Sequence, residues 1–407
     1  MIEEIRKRAR EIEERVVKFR REIHSQPELS GKEEKTARFI AAVLEDNDIE
    51  IETGVGGNGI VGIIRGGNTG GRNGGKGSDV IAIRADMDAL PIGERGNCSY
   101  ASKVEGVMHA CGHDVHSAIL MGAAIVLGGL REKLTGDVKL IFQPEEEVIP
   151  GGALAMIEAG VLENPRPSAM VALHCCTELD AGFIGHKEGI VTASCDFIKI
   201  SIFGTSGHSS RPHQTVDAIL VAALVINAIH HIVSRRTDPL HHVAISLGTI
   251  KGGNAPNIIA DNVEITGTVR VLSPELRAVM PELIEQTIKG ITMSVGGTYD
   301  FQYNYGHPSV VNDGELNEVV RCSALDLFGK EHTINMKDPQ MGAEDFAYYA
   351  EKVPAMLFRL GTGNKAKGVT SPLHSSCFDI DESALSVGVQ MMSLIACKFF
   401  ELKRNQA

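Results

Sequence analysis

Three short strand-like segments, residues 80–85, 137–142 and 170–173, constrain this chain most, because each runs without a break into residues that bind metals or move protons. The first ends in Asp86-Met-Asp88, the second in Gln-Pro-Glu-Glu-Glu147 and the third in His174. A single histidine after an apolar strand is usually a satisfied core residue, and a single acidic run is usually a solvated loop. Three successive strands ending this way are a much rarer coincidence, and α/β folds place their sites at the carboxyl ends of strands. Asp86 and Asp88 alternate and so share a face. Taken alone, they either cap the next turn or point into a site.

A fourth stretch, Met108-His-Ala-Cys-Gly-His-Asp-Val-His116, concentrates ligand-type side chains and leads into an apolar run at 117–130 of helical length and composition. Gly112 lets the backbone turn between Cys111 and His113, a spacing that can bring a thiolate and an imidazole to one point. Asp114 is placed as a helix N-cap, with His116 in the first turn. In Glu145-Glu146-Glu147, adjacent carboxylates repel one another unless something positive holds them. They also suit a division of labour, one binding a metal while its neighbour carries a proton.

With 407 residues, 43% of them hydrophobic and 23% charged, two globular domains are expected. A net charge of −12 argues against nucleic acid or an anionic membrane as partner. Residues 1–21 are charged and amphipathic, so no signal peptide is expected, and no run of eighteen apolar residues suggests a membrane span. The eight cysteines have no repeated spacing, which reads as a reducing cytoplasm rather than a disulfide framework.

In chain order, helices are expected over 2–22 and 32–46, the second capped by Ser30, then strand, turn and strand over 49–64. The Gly- and Asn-rich stretch 66–78 reads as a hairpin tip; it lacks the Gly-Lys-Ser/Thr ending of a phosphate loop. From about 196 the pattern becomes β-α-β-β-α-β, the ferredoxin-like arrangement, and after about 310 the first pattern returns. The expected architecture is an α/β catalytic domain, a mixed sheet flanked by helices, from residues 1–191 and 310–407. Residues 192–309 form an inserted ferredoxin-like α+β domain.

At this point the chain resembles the dinuclear-metal aminoacylase and carboxypeptidase family, in its hippurate hydrolase and auxin-conjugate amidohydrolase branch. The matching stretches are His24-Ser-Gln-Pro-Glu-Leu-Ser, Arg84-Ala-Asp-Met-Asp-Ala-Leu-Pro, the stretch 108–116, and Phe142-Gln-Pro-Glu-Glu-Glu. They continue in Gly207-His, Gly267-Thr-Val-Arg, Met341-Gly-Ala-Glu-Asp-Phe and Leu373-His. Their order and number make the resemblance specific. It implies that Cys111, His113, Glu147, His174 and His374 bind two divalent metal ions per subunit. Zinc suits the donor set first, and manganese, cobalt or nickel are tolerated. It implies that Glu146 is the general acid/base and that Asp88 orients a ligand, with Asp86 doubtful as a ligand. It further implies that His208, Asn257 and Arg270, on the inserted domain acting as a lid, bind the substrate's carboxylate and scissile carbonyl. His208 often acts across a dimer interface in the family, so a homodimer or homotetramer through the lid is expected. The chain departs from the pattern at Glu145, where a small residue is usual, and this leaves the register of the base open by one position.

The implied activity is hydrolysis of the amide bond in N-acyl-L-amino acids. A metallo-carboxypeptidase or dipeptidase would use the same site on short peptides. A cysteine hydrolase with Cys111 as nucleophile would leave Glu146, Glu147, His174 and His374 unexplained. A binding protein that has lost the chemistry would have no need of the full donor set.

Overall fold

The computed structural model describes residues 1–67, 79–96 and 98–406. Most of the Gly-rich stretch, residues 68–78, lies outside them. The chain divides into two compact units. The first comprises Met1–Gly189, Val311–Asp338 and Asp345–Ala407; the second comprises Ile190–Val310 and Pro339–Glu344. The six residues 339–344, expected in the first unit, go with the second because their backbone is tied there. Ala193 N donates to Gln340 O and Gly342 O, both at 3.0 Å, and Gln340 N donates to Val191 O at 2.9 Å.

The first unit opens with α1 (Ile2–Glu11), α2 (Glu13–Ser25) and α3 (Glu34–Glu45), then β1 (Glu50–Val55), β2 (Gly59–Ile64) and β3 (Val80–Asp86). Helix α4 (His113–Gly128), β4 (Asp137–Gln143), α5 (Gly152–Glu158), β5 (Ala169–Asp180) and β6 (Ile184–His186) follow. The second unit holds β7 (Asp196–Phe203), α6 (Ala218–His231), β8 (Val243–Gly252), β9 (Asn262–Val271), α7 (Pro274–Ser294) and β10 (Thr298–Asn304). The chain then returns with α8 (Gly314–Phe328), β11 (Thr333–Asn335), β12 (Ala355–Gly363) and α9 (Ser383–Gln406).

Eight strands of the first unit form one mixed sheet in the order β1-β2-β4-β3-β5-β12-β6-β11. Its four central strands, β4, β3, β5 and β12, run parallel. Asp86 pairs with Gln143, and Arg84 with Ala172, so the ends of β3 and β4 and the middle of β5 stand level. Strand β5 was expected to stop at His174. It runs on to Asp180 because β12 keeps pairing with it beyond the end of β3. Helix α4 is buried along nearly its whole length and packs against α2 and α9. Gly122 makes that approach possible: a Cβ there would come within 2.6 Å of Val389 Cγ2 and 2.8 Å of Val16 Cγ2.

Several local expectations change. The first helix breaks at Ile12, whose φ of −107° and ψ of 2° leave the helical region. Ser30 does not cap α3; the N–H groups of Lys35 and Thr36 instead donate to Glu28 Oε2, at 2.8 and 2.9 Å. Helix α4 is capped by Gly112 in the left-handed conformation, φ +89°, not by Asp114. Only glycine fits there, since a Cβ would lie 2.8 Å from Cys175 Sγ. Two helices, Ala218–Arg236 and Ser383–Gln406, have the length and apolar composition of a membrane span, but the first gives Val225 and Ile229 to the second unit's core. The second is mostly buried in the first unit's core.

In the second unit, strands order as β8-β9-β7-β10, all antiparallel. With α6 and α7 connecting them, this is the ferredoxin-like arrangement. Its core gathers Ile198, Ile200 and Ile202 of β7, Val225 and Ile229 of α6, and Ile284 and Ile288 of α7.

Candidate metal centre

The ends of β3 and β4, the middle of β5 and the start of α4 bring Cys111, His113, Glu147 and His174 into one largely buried cluster, with His374 on its exposed side. Three overlapping groups each have donor atoms within 4.8 Å of one another: Cys111, His113 and His174; Cys111, Glu147 and His374; and His113, Glu146 and Glu147. Cys111 Sγ is 3.6 Å from His174 Nε2. His113 Nε2 is 3.8 Å from both Glu146 Oε2 and Glu147 Oε1, and His374 Nε2 is 3.4 Å from Glu147 Oε1. His374 reaches the cluster from a loop pinned by its own N–H, which donates to Ala110 O at 2.8 Å.

The backbone decides which ring nitrogens face inward. A carbonyl oxygen can only accept, so the nitrogen beside it must carry hydrogen. His113 Nδ1 donates to Asp88 O at 2.9 Å, and His174 Nδ1 donates to Cys175 O at 2.9 Å. Each therefore turns its Nε2 lone pair toward the cluster, the arrangement that metal-binding imidazoles need. His116 is set the other way. Cys175 N donates to His116 Nε2 at 2.9 Å, and His116 Nδ1 donates to Asp86 Oδ1 at 2.6 Å. Both nitrogens of His116 are engaged, so it props Asp86.

The cluster fits a cation. His113 Nε2 is buried without a hydrogen-bond partner, and Glu147 Oε1 has only the loose 3.4 Å contact with His374 Nε2, an arrangement that costs free energy unless something bridges them. Charges point the same way. Burial disfavours the His113 cation, yet Asp86 and Asp88 outweigh it and hold its pKa well above the usual histidine value, so that in metal-free protein a proton takes the place of an ion on Nε2. Burial pushes the Cys111 thiol well up, and the Glu147 carboxylate adds to this. Burial, with His116 and Arg359 beside it, keeps His174 neutral. A thiol, imidazoles and carboxylates in one place form a donor set that suits zinc, and a bound divalent ion would turn the thiol to thiolate.

Asp88 orients the cluster. Its Oδ1 lies 3.1 Å from His113 Nδ1, and its Oδ2 accepts from Glu147 N at 3.0 Å and Ser30 Oγ at 2.6 Å. Asp86 is bound on both oxygens, by His116 and by Arg84 Nη1 at 2.5 Å. Sequence reasoning missed the next layer. Buried Arg84 also donates to Asp345 Oδ1 at 2.7 Å, and Asp345 Oδ2 accepts from Gln143 Nε2 at 2.6 Å and Ala153 N at 3.0 Å. Arg84 and Asp345 both lie in stretches that carried the resemblance, and that was the signal available. Asp114 was expected as a cap. It is a fully buried anion held by Arg20 Nε at 2.7 Å and His24 Nδ1 at 2.8 Å. His109 is buried beside this group, with its pKa pushed down to about 4 by burial.

Glu145 stands apart from its two neighbours. Its φ is +59°, a rare conformation for a residue with a Cβ. Its carboxylate lies over glycines: a Cβ at Gly31 would be 3.5 Å from its Cδ, and one at Gly57 would be 3.7 Å from its Oε1. The three remaining predicted residues lie in the second unit. His208 and Asn257 are on adjacent segments, with His208 paired to Ile258 and Ser209 N donating to Asn257 O at 3.1 Å. Arg270 is on β9, and its Nη1 donates to Met341 O at 2.9 Å.

Such a centre on such a sheet belongs to hydrolases that cut C–N bonds, and comparison with known proteins places the chain among them. Residues 82–398 match the model of peptidase family M20/M25/M40. The chain belongs to this family. It is 37% identical to thermostable carboxypeptidase 2 of Saccharolobus solfataricus, over 98% of this chain and 99% of that one. It is 40% identical to the N-acyl-L-amino acid amidohydrolase of Geobacillus stearothermophilus, over 77% of this chain and 82% of that one. Among solved structures it is similar to the Bacillus subtilis YXEP protein, described as a dinuclear metal binding peptidase. There the TM-score is 0.83 and the identity 35%, covering 96% of this chain and 99% of that one.

Proposed function

We propose that this protein is a metal-dependent amidohydrolase that cleaves the amide bond of N-acyl-L-amino acids. The observation that carries the reading is the pair of imidazoles, His113 and His174, locked by backbone carbonyls with both Nε2 atoms turned toward Cys111 and the Glu146–Glu147 pair. Cys111, His113, Glu147, His174 and His374 are the ligands of this reading, for two divalent ions, with zinc preferred by the thiol. Two such ions would make water a nucleophile near neutral pH and polarise the scissile carbonyl.

The residues of the chain do the rest. Glu146 takes a proton from the attacking water and returns it to the departing nitrogen, so the C–N bond breaks to a free amine and a carboxylate. Asp88 keeps His113 in one tautomer and holds the Glu147 backbone. Arg270 and Asn257 recognise the substrate's free carboxylate, Arg270 by its planar fork, and His208 binds the scissile carbonyl. The likeness to the Geobacillus amidohydrolase and to the N-acetylcysteine deacetylase of Bacillus subtilis supports this substrate class. Assembly as a homodimer or homotetramer through the second unit, with His208 acting in trans, belongs to the same proposal. A cytoplasmic place does too, supported by eight cysteines that are all free.

A second reading, a carboxypeptidase or dipeptidase acting on short peptides, is favoured by the similarity to the Saccharolobus carboxypeptidase along almost the entire chain. One screen separates the two. N-acetyl, N-benzoyl and indole-acetyl amino acids are assayed beside dipeptides and longer peptides, in zinc, manganese, cobalt and nickel. Turnover of the N-acyl series well above the peptides is the expected result. The reverse order would establish the peptidase, and no turnover with any metal would overturn both.

A further inference from the structure

Glu33 is a fully buried carboxylate at the start of α3, and the reaction described above does not use it. It accepts three hydrogen bonds, from Gly31 N at 2.9 Å, Glu145 N at 3.0 Å and Asn58 Nδ2 at 3.0 Å. All three donors are neutral. A buried anion so placed is expensive to keep, and burial raises its pKa. What the three neutral donors need is acceptor oxygens placed at these points, and the side chain of Glu33 supplies them.

What Glu33 holds gives the reason. Glu145 is in the left-handed region, φ +59°, and is pinned at both ends. Its N–H goes to Glu33, and its carbonyl accepts from Gly152 N at 2.9 Å. Two residues on, Glu147 N is pinned to Asp88 Oδ2, which Ser30 Oγ also holds. Glu146 lies between these fixed points. The backbone from which its side chain departs is pinned on either side, and both pins trace back to residues 30–33.

We propose that Glu33 is a positioning residue for the acid/base: by holding the Glu145 N–H it fixes the turn that presents Glu146 to the reacting atoms. The proposal rests on the role given to Glu146 above. Ser30 serves the same turn from the other side, through Asp88.

The test uses the full chain loaded with zinc. Glu33→Ala removes the acceptor and should lower kcat by roughly 10–100-fold, the scale of a reacting group misplaced by about an ångström. KM and bound zinc should stay within about two-fold. Glu33→Asp keeps the charge but draws the acceptor back by one methylene, and should show the same loss even if the alanine variant folds poorly. Glu33→Gln keeps an oxygen in reach of the Glu145 N–H and should return kcat to within about three-fold of wild type. In a Glu146→Gln background, Glu33→Asp should cost little more, because the group it places is already gone. A purely structural residue would lower activity by the same factor in both backgrounds. Wild-type kcat in Glu33→Asp, or full multiplicativity with Glu146→Gln, overturns the proposal.

A second readout needs no activity. In metal-free protein the Glu145 amide should exchange hydrogen at least ten-fold faster in Glu33→Asp than in wild type, with β4 amides unchanged. Equal exchange overturns the clamp whatever the enzyme does. If instead Glu146→Gln keeps full activity while the Glu145 amide is released as expected, the acid/base assignment has failed and the hold of Glu33 on the turn stands.

Discussion

Three consecutive glutamates follow β4, and their backbone parts the first from the other two. Glu145 turns over Gly31 and Gly57, while Glu146 and Glu147 face His113. Glu146→Gln should therefore lower kcat by roughly 10²–10⁴, the range for a general acid/base, with metal content unchanged. Glu147→Gln should lose metal, and Glu145→Gln should remain active. A dead Glu145→Gln beside an active Glu146→Gln would shift the register by one. His24 supports a prediction about pH. It sits between Asp114, 2.8 Å from its Nδ1, and Glu94, 3.5 Å from its Nε2. Burial opposes its cation, but these carboxylates prevail and its pKa is raised. A raised folded pKa stabilises the fold below the unfolded value of about 6.5, and that contribution disappears as pH rises through the folded value. The urea stability of metal-free wild type should exceed that of His24→Gln by more near pH 6 than near pH 9. A gap independent of pH would mean that His24 carries no proton in the fold. At this scale the sequence showed which residue types cluster, because they follow strands. It did not show the tautomers of His113, His116 and His174, nor the left-handed Glu145. For His113, His116 and Glu145 these depend on groups far away in sequence, namely Asp88 O, Cys175 N and the Glu33 carboxylate; for His174 the partner is the neighbouring Cys175 O, which the fold of the strand alone turns toward it.

Among the elements, α4 shows what packing adds to periodicity. Its apolar, small-residue run was legible as a helix, but not as one buried on every side. Gly122 records that crowding. Gly122→Ala gains about 1 kcal/mol of helix propensity and meets two stiff valines at 2.6 and 2.8 Å. Overpacking of that kind costs about 1–3 kcal/mol, so the chemical-denaturation midpoint should fall; a rise would mean that α2 and α9 give way freely. Other elements were misjudged for reasons of partnership. Strand β5 outlasts its expected end because β12 continues beside it. The 2–22 helix became two helices at Ile12, where no proline or glycine gives warning. Ser30 looked like a cap, but its hydroxyl has a stronger partner in the Asp88 carboxylate.

For the molecule, the insertion was legible as a change of pattern, and the ferredoxin-like strand order followed from the sequence of elements alone. The return of residues 339–344 to the second unit was not legible, because it rests on backbone hydrogen bonds. The second unit also displays an apolar surface on α6, where Ile219, Leu220 and Leu224 are 49%, 58% and 46% exposed. Strand β8 is at the edge of its sheet. Under the proposed assembly, Leu220→Asp with Leu224→Asp should shift the sedimentation coefficient to that of a monomer and leave metal binding intact. A wild-type protein that is already monomeric and fully active would remove any role of His208 in trans.

The place of β12 within the first sheet bears on how the protein is made. Domains of a growing chain ordinarily fold in the order in which they leave the ribosome. Here the unit that begins first is completed later. Its sheet has a gap between β5 and β6 until Ala355–Gly363 is synthesised, whereas the inserted unit has all its residues once Glu344 is made. During that interval β5, which carries His174, is paired with β3 alone and open on its other side, and His374 has not yet been added. The nascent chain must therefore carry an open, apolar sheet edge from the completion of β5 at Asp180 until Ala355–Gly363 is made, the kind of surface that holding chaperones bind.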